Sequence, residues 1–144
     1  MSISQINVFV QSKPGHLSRI LEIFEDAGVS VRGFSAADTG DYGIVRFIVD
    51  DPDAALSALK EHNAACSISD VLCARLDDTP GELARVLGVF ASRGVNVQYC
   101  YSMISTYIIV SVKDVDQAEQ LLEGAPVELI EQADLASMTP YDKR

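Results

Sequence analysis

Apolar residues along this chain alternate between two spacings, and the alternation occurs twice. Ile6, Val8 and Val10 are interleaved with Asn7, Phe9 and Gln11, the two-residue period of a strand with one face turned inward. Pro14-Gly15 ends that pattern. Leu17, Ile20, Leu21 and Phe24 then stand at i, i+3, i+4 and i+7, a single helical stripe, and proline's fixed φ suits the first turn of such a helix. Gly28 falls where a helix C-terminal glycine belongs, because glycine takes the left-handed conformation without steric cost. Two strands are predicted next, over 29–37 and 42–50, joined at Thr39-Gly40-Asp41. A second helix follows Asp51, whose carboxylate can cap its free amides, with Ala55, Leu56 and Leu59 on its apolar side. The pattern closes on a strand near Cys66 to Ser69.

The whole pattern then returns. Pro14-Gly15-His16-Leu17-Ser18-Arg19-Ile20-Leu21 reappears as Pro80-Gly81-Glu82-Leu83-Ala84-Arg85-Val86-Leu87, an offset of 80 − 14 = 66 residues. The same offset carries Phe24 to Phe90, Gly28 to Gly94 and Val31 to Val97. Asp51 and Asp53 match Asp114 and Asp116 at an offset of 63, so the second copy is three residues shorter in one loop. Leu72, Ala74 and Leu76 repeat the first strand, 95–103 and 107–113 the hairpin, Ala118, Leu121 and Leu122 the second helix, and 127–130 the last strand.

The predicted order is βαββαβ, twice: an α+β fold of two ferredoxin-like modules side by side, forming a continuous antiparallel sheet with helices on one face. The boundary is placed so that residues 1–70 form the first module and 71–144 the second with a C-terminal extension. No Pro- or Gly/Ser-rich linker separates them. A module of this size buries only about 60% of its unfolded surface, so docking of the two is expected to add stability. In the extension, Ala133 to Thr139 echoes a first strand and ends in Thr139-Pro140, like Thr79-Pro80, which suggests an additional edge strand.

Composition narrows the function classes. With 48% hydrophobic and 22% charged residues the chain has material for a core. A formal net charge of −10 opposes binding to nucleic acid or anionic membranes. Cys66, Cys73 and Cys100 lack metal-ligand spacing and lie in apolar stretches, as buried thiols in a reducing cytoplasm do. No apolar run approaches the 18 or so residues of a membrane helix, and the N-terminal residues have no signal-peptide pattern. Two separated histidines imply no metal site, and no cofactor motif is present.

The repeated unit, a strand followed by Ser12-Lys13-Pro14-Gly15-His16-Leu17 or Asp78-Thr79-Pro80-Gly81-Glu82-Leu83 and then by Phe…Gly-Val-Ser/Asn-Val, resembles the ACT domain, in two copies covering nearly the whole chain. The resemblance implies a cytoplasmic regulatory protein rather than an enzyme, built of paired modules whose sheets join into one of about eight strands. It also implies a free amino acid as ligand, held where the loop after one module's first strand faces the start of its neighbour's second strand. A regulated enzyme or a second copy in a dimer is the implied protein partner. The candidate site residues are Ser12, Pro14, Gly15, His16, Leu17 and Ser30 in the first copy, and Asp78, Pro80, Gly81, Glu82, Leu83 and Asn96 in the second. Asp78 and Asn96 match the family's polar positions better than Ser12 and Ser30, so the better site is expected to use the second copy. Where some serine-binding members carry a histidine, this chain has Val10 and Leu76, which leans toward a more apolar ligand.

Each feature also has a plainer reading. Pro-Gly-x-Leu can be a strand-to-helix turn with leucine filling the core, and Tyr99, Tyr101 and Tyr107 can pack against one another across a hairpin. An assembly subunit of paired modules without a ligand is therefore the alternative function. Hydrolysis on an acylphosphatase-like version of the fold requires an arginine in the first loop, which reads Gln11-Ser12-Lys13-Pro14-Gly15.

Overall fold

The structure is a computed structural model, described here for residues 2–38, 40–103 and 106–137. Ser4–Ser69 with the described residues from Ala133 onward form one compact unit, and Asp70–Gln132 with Ser2 and Ile3 form the other. In the first, β1 (Ile3–Gln11), α1 (His16–Asp26), β2 (Val31–Asp38), β3 (Tyr42–Val49), α2 (Pro52–Glu61) and the start of β4 (Ala65–Arg75) give the βαββαβ order. The strands run in the order β2-β3-β1-β4. β1 and β2 both pair antiparallel with β3, so that Asp38, Gly43 and Val10 form one row across three strands and Ala36, Val45 and Val8 the next.

The alternation in β1 does what its period predicts. Ile6 and Val8 are buried with Val45, Phe47 and Val49 of β3 against Ile20, Ile23 and Phe24 of α1 and Ala55, Ala58 and Leu59 of α2. Phe24 and Phe47 meet edge to face with ring centroids 5.0 Å apart. Asp51 caps α2 by accepting from the Ala54 N–H at 3.1 Å, and His62 Nδ1 closes the other end on the Ala58 carbonyl at 2.9 Å. Gly28, with φ of 71°, ends α1 as expected.

The second unit repeats the order in shortened form: the end of β4, then α3 (Glu82–Ser92), β5 (Tyr99–Ser102), β6 (Tyr107–Ser111) and α4 (Val115–Leu121). Its core joins Leu72, Ala74, Ile108 and Val110 to Val86, Phe90 and Ala118. Asp114 caps α4 through the Gln117 N–H at 3.0 Å. Cys73, wholly buried on β4, has its thiol pushed up to about 12 by burial and sits 3.7 Å from the Met103 sulfur.

Several expectations are corrected. The last strand of the first copy and the first strand of the second are one strand, β4, and the final strand near 127–130 is reduced to a bridge between Leu129 and Ala74 with the Ile130 N–H donating to the Cys73 carbonyl at 2.8 Å. Among the described residues there are therefore six strands where about eight were implied. The predicted strand over 95–103 shortens to Tyr99–Ser102, and the Val95 N–H is taken by the Phe90 carbonyl at the end of α3. Each proline lies before its helix and not in the first turn, since Gly15 and Gly81, left-handed at φ of 88° and 85°, are themselves the N-caps. The expected edge strand over Ala133 to Thr139 is a helix, α5 (Gln132–Ser137), in its described part; Met138, Thr139 and Pro140 lie outside the described residues. Gln, Ala and Leu are strong helix formers, and only Leu135 of α5 is buried. Arg32, in the β2 bulge, donates from Nε to the Leu135 carbonyl at 3.3 Å. Tyr99 and Tyr101 stack along one face of β5, centroids 6.4 Å apart.

Candidate functional site

The two Pro-Gly loops share a backbone. Lys13 N–H donates to the Gln11 carbonyl at 2.8 Å and Arg19 N–H to that of Gly15 at 3.0 Å; Thr79 to Asp77 at 2.9 Å and Arg85 to Gly81 at 2.9 Å repeat these bonds. In both, a left-handed glycine carries the chain from strand to helix, a conformation that L-residues with a Cβ rarely adopt. Neither glycine supplies a side-chain cap; the first amide of each helix, that of His16 or Glu82, donates to the Lys13 or Thr79 carbonyl at 3.4 and 3.3 Å.

The side chains then part company. In the first loop, Ser12 Oγ donates to Asp38 Oδ1 at 2.6 Å and the Gly40 N–H to the same oxygen at 2.8 Å. The Ser12 bond first, and the Gly40 bond with it, hold the Asp38 carboxyl below its ordinary 3.8, so it is a carboxylate at neutral pH. His16 Nδ1 lies 2.9 Å from the Gln11 carbonyl, which can only accept, so that nitrogen carries the proton. No acidic residue occupies the first turn of α1.

Beside this loop lies a groove of about 390 Å³. Its polar end is formed by Ser12, Lys13, His16 and Asp38, and its apolar part by Val10, Leu17, Ala36, Ala37 and Val45 around Gly43. The glycine stands between Val10 and Asp38 in their shared row and is closely approached there: a Cβ would come within 3.2 Å of Val10 Cγ2 and 3.3 Å of the Ala37 carbonyl oxygen.

In the second loop, Glu82 takes the place of His16 and folds onto Arg85. Nε donates to Oε2 at 3.0 Å and Nη2 to Oε1 at 2.7 Å, while Arg85 Nη1 reaches the Pro126 carbonyl at 2.6 Å. The hydrogen bonds from Arg85 hold the Glu82 carboxyl below its ordinary 4.5 and raise Arg85 in turn. The Glu82 side chain is only 11% exposed, and it puts a carboxylate in the first turn of α3. Leu83 is 47% exposed, whereas its counterpart Leu17 is half-buried and packs on the first core.

Of the sequence-predicted residues, Ser12, Pro14, His16 and Leu17 come together on the first groove, with Gly15 at the start of α1. Ser30 does not line it; its N–H is held by the Asp50 carboxylate at 2.9 Å. Asn96 lines a separate recess of about 150 Å³ with Lys113, Asp114 and Gln117, away from Asp78 and Pro80. Sequence reasoning missed Asp38 and Gly43, although both flank the Thr39-Gly40-Asp41 turn, where short polar and glycine residues are usual for turn geometry alone. It also missed a recess of about 650 Å³ along α4, rimmed by Asp116, Glu119 and Glu123 over Leu122, Val127 and Leu129. Among the described residues no cluster of His, Cys, Asp or Glu could hold a metal ion, and no helix is long and apolar enough to cross a membrane.

A family profile described as the ACT domain pair matches residues 1–139. A crystallographic structure of a protein from Bacteroides thetaiotaomicron is 30% identical with a TM-score of 0.88, over 96% of this chain and 98% of that one. The ligand-free regulatory subunit of aspartate kinase from Thermus thermophilus has a TM-score of 0.60 at 18% identity, over 85% and 91%. Aspartokinase III from E. coli, solved with lysine and aspartate, has a TM-score of 0.51 at 14% identity, over 85% of this chain and 30% of that one. No curated protein sequence matches the chain.

Proposed function

The chain belongs to the ACT domain-pair family, regulatory modules by nature, and from that membership we propose that it binds a free amino acid in the groove beside Pro14 to Leu17 and signals its presence to a protein partner. A regulated enzyme is the kind of partner that the aspartate kinase regulatory subunit suggests.

An amino acid offers a carboxylate, an ammonium group and a side chain, and the first groove has a counterpart for each. The opening amides of α1, with no acid in the first turn, suit the carboxylate. The ionised Asp38 suits the ammonium, since charge-assisted hydrogen bonds are the strong ones. Val10, Leu17 and Val45 suit the side chain. The observation that carries the reading is the pairing of a bare helix start with a fixed carboxylate around one groove. The second loop fits the alternative of a ligand-free assembly role better, because Glu82 already lies at the start of α3.

Thermal denaturation in the presence of each of the twenty amino acids tests the proposal. A ligand at about 100 times its dissociation constant stabilises by about 2.7 kcal/mol, a shift of several degrees for a domain of this size. If none of the twenty moves the transition, the amino-acid reading is wrong.

A further inference from the structure

Resting on the amino-acid reading of the first groove, we infer that it selects an aliphatic side chain, and that Gly43 sets the largest one it admits. The polar groups of the groove, Ser12, Lys13, His16 and Asp38, gather at the loop end, where the backbone groups of a ligand would lie. The other side chains that line it are those of Val10, Leu17, Ala36, Ala37 and Val45, none with a polar atom. A ligand hydroxyl or charge placed there would lose water and find no side-chain partner, whereas methyl groups would exchange water for packing.

Gly43 limits the width where the polar and apolar parts meet. It is buried at the centre of the row Asp38, Gly43, Val10, with its neighbours contributed by β2 and β1. Its φ is not in the left-handed region, so this glycine is not required by backbone conformation. An added Cβ would meet Val10 Cγ2 at 3.2 Å and the Ala37 carbonyl oxygen at 3.3 Å, closer than ordinary van der Waals contact, and would narrow the space between Val10 and Asp38. The residue that pairs with Leu76 through its backbone in the second copy is Thr106, which carries a side chain where Gly43 has none.

Calorimetric titration of the intact chain with valine, leucine, isoleucine, threonine, aspartate and lysine provides the test. Valine should bind about tenfold tighter than its near-isostere threonine, and the charged pair more weakly still. Gly43→Ala should weaken leucine and isoleucine about tenfold and valine less. Val10→Thr, a shape-conserving change that leaves the β-branch in its strand, should narrow the preference for valine over threonine and serves if the Gly43 variant does not fold. Threonine, aspartate or lysine binding as tightly as valine overturns the inference and leaves the amino-acid reading standing. Absence of binding by every amino acid removes both. An unchanged order of affinities in a folded Gly43→Ala protein overturns the role given to Gly43.

Discussion

His16 and Glu82 occupy one position in two copies of the same turn, and they divide the two halves of the molecule. His16 reaches back to the carbonyl of Gln11 and leaves the start of α1 without a negative charge, next to a groove that holds an ionised aspartate. Glu82 reaches forward to Arg85, which is tied to the Pro126 carbonyl, and so lays a carboxylate over the start of α3. The backbones agree bond for bond, down to glycines within a few degrees of the same left-handed φ. A motif of proline, glycine and leucine thus specifies the turn, while the residue between glycine and leucine decides whether a carboxylate stands in the first turn of the helix.

Substitutions that exchange these features test the contrast. The largest effect is expected from Asp38→Asn, which removes the charge proposed to face a ligand ammonium: affinity for the proposed amino-acid ligand should fall by about tenfold or more, with Asp78→Asn in the other loop as a control that leaves it unchanged. Equal losses from both, measured by titration, would show that the two loops are not functionally different. A smaller change is expected from His16→Glu, which gives α1 the acid that α3 already has. Competition with the ligand carboxylate at the helix start should weaken binding about threefold, and the thermal midpoint of the free protein should barely move.

The smallest effect concerns acid. Glu82 is held below its unfolded value near 4.5, so its contribution to stability is present above that pH and is lost as pH falls through the lower folded value. Arg85 is 46% exposed, so the contribution is modest. Melting curves should show wild type above Glu82→Gln at neutral pH, with the two converging at pH values well below 4.5. A gap that persists in strong acid would mean that Glu82 acts through something other than its charge.

Much of this architecture is legible in the chain. The alternation of Ile6 and Val8, the stripe of Ile20 and Phe24 and the caps Asp51 and Asp114 all do what their spacing predicts, because burial and capping follow directly from period and side-chain type. Element ends were less legible. β4 reads as two strands because nothing in Asp70 or Val71 marks continuity, and α5 reads as a strand because a repeat-based comparison extends a pattern that local helix propensity overrides. The candidate site was half legible. Ser12, Pro14, His16 and Leu17 are sequence neighbours, whereas Asp38 and Gly43 join them only through the register of β2 and β1 on β3, which no local pattern displays. The expectation that the better site uses the second copy rested on Asp78 or Asn96, of which Asn96 lines a small recess with Lys113, Asp114 and Gln117.

The thiol of Cys73 gives this molecule an internal clock. Cys73 is fully enclosed and burial pushes its thiol up to about 12, so alkylation there should wait on opening of the core around Leu72 and Ala74, whereas Cys100 on β5 is exposed. With the partly exposed Cys66 followed separately, the delay between modification of Cys100 and of Cys73 should therefore report how often that core opens, with no residue changed.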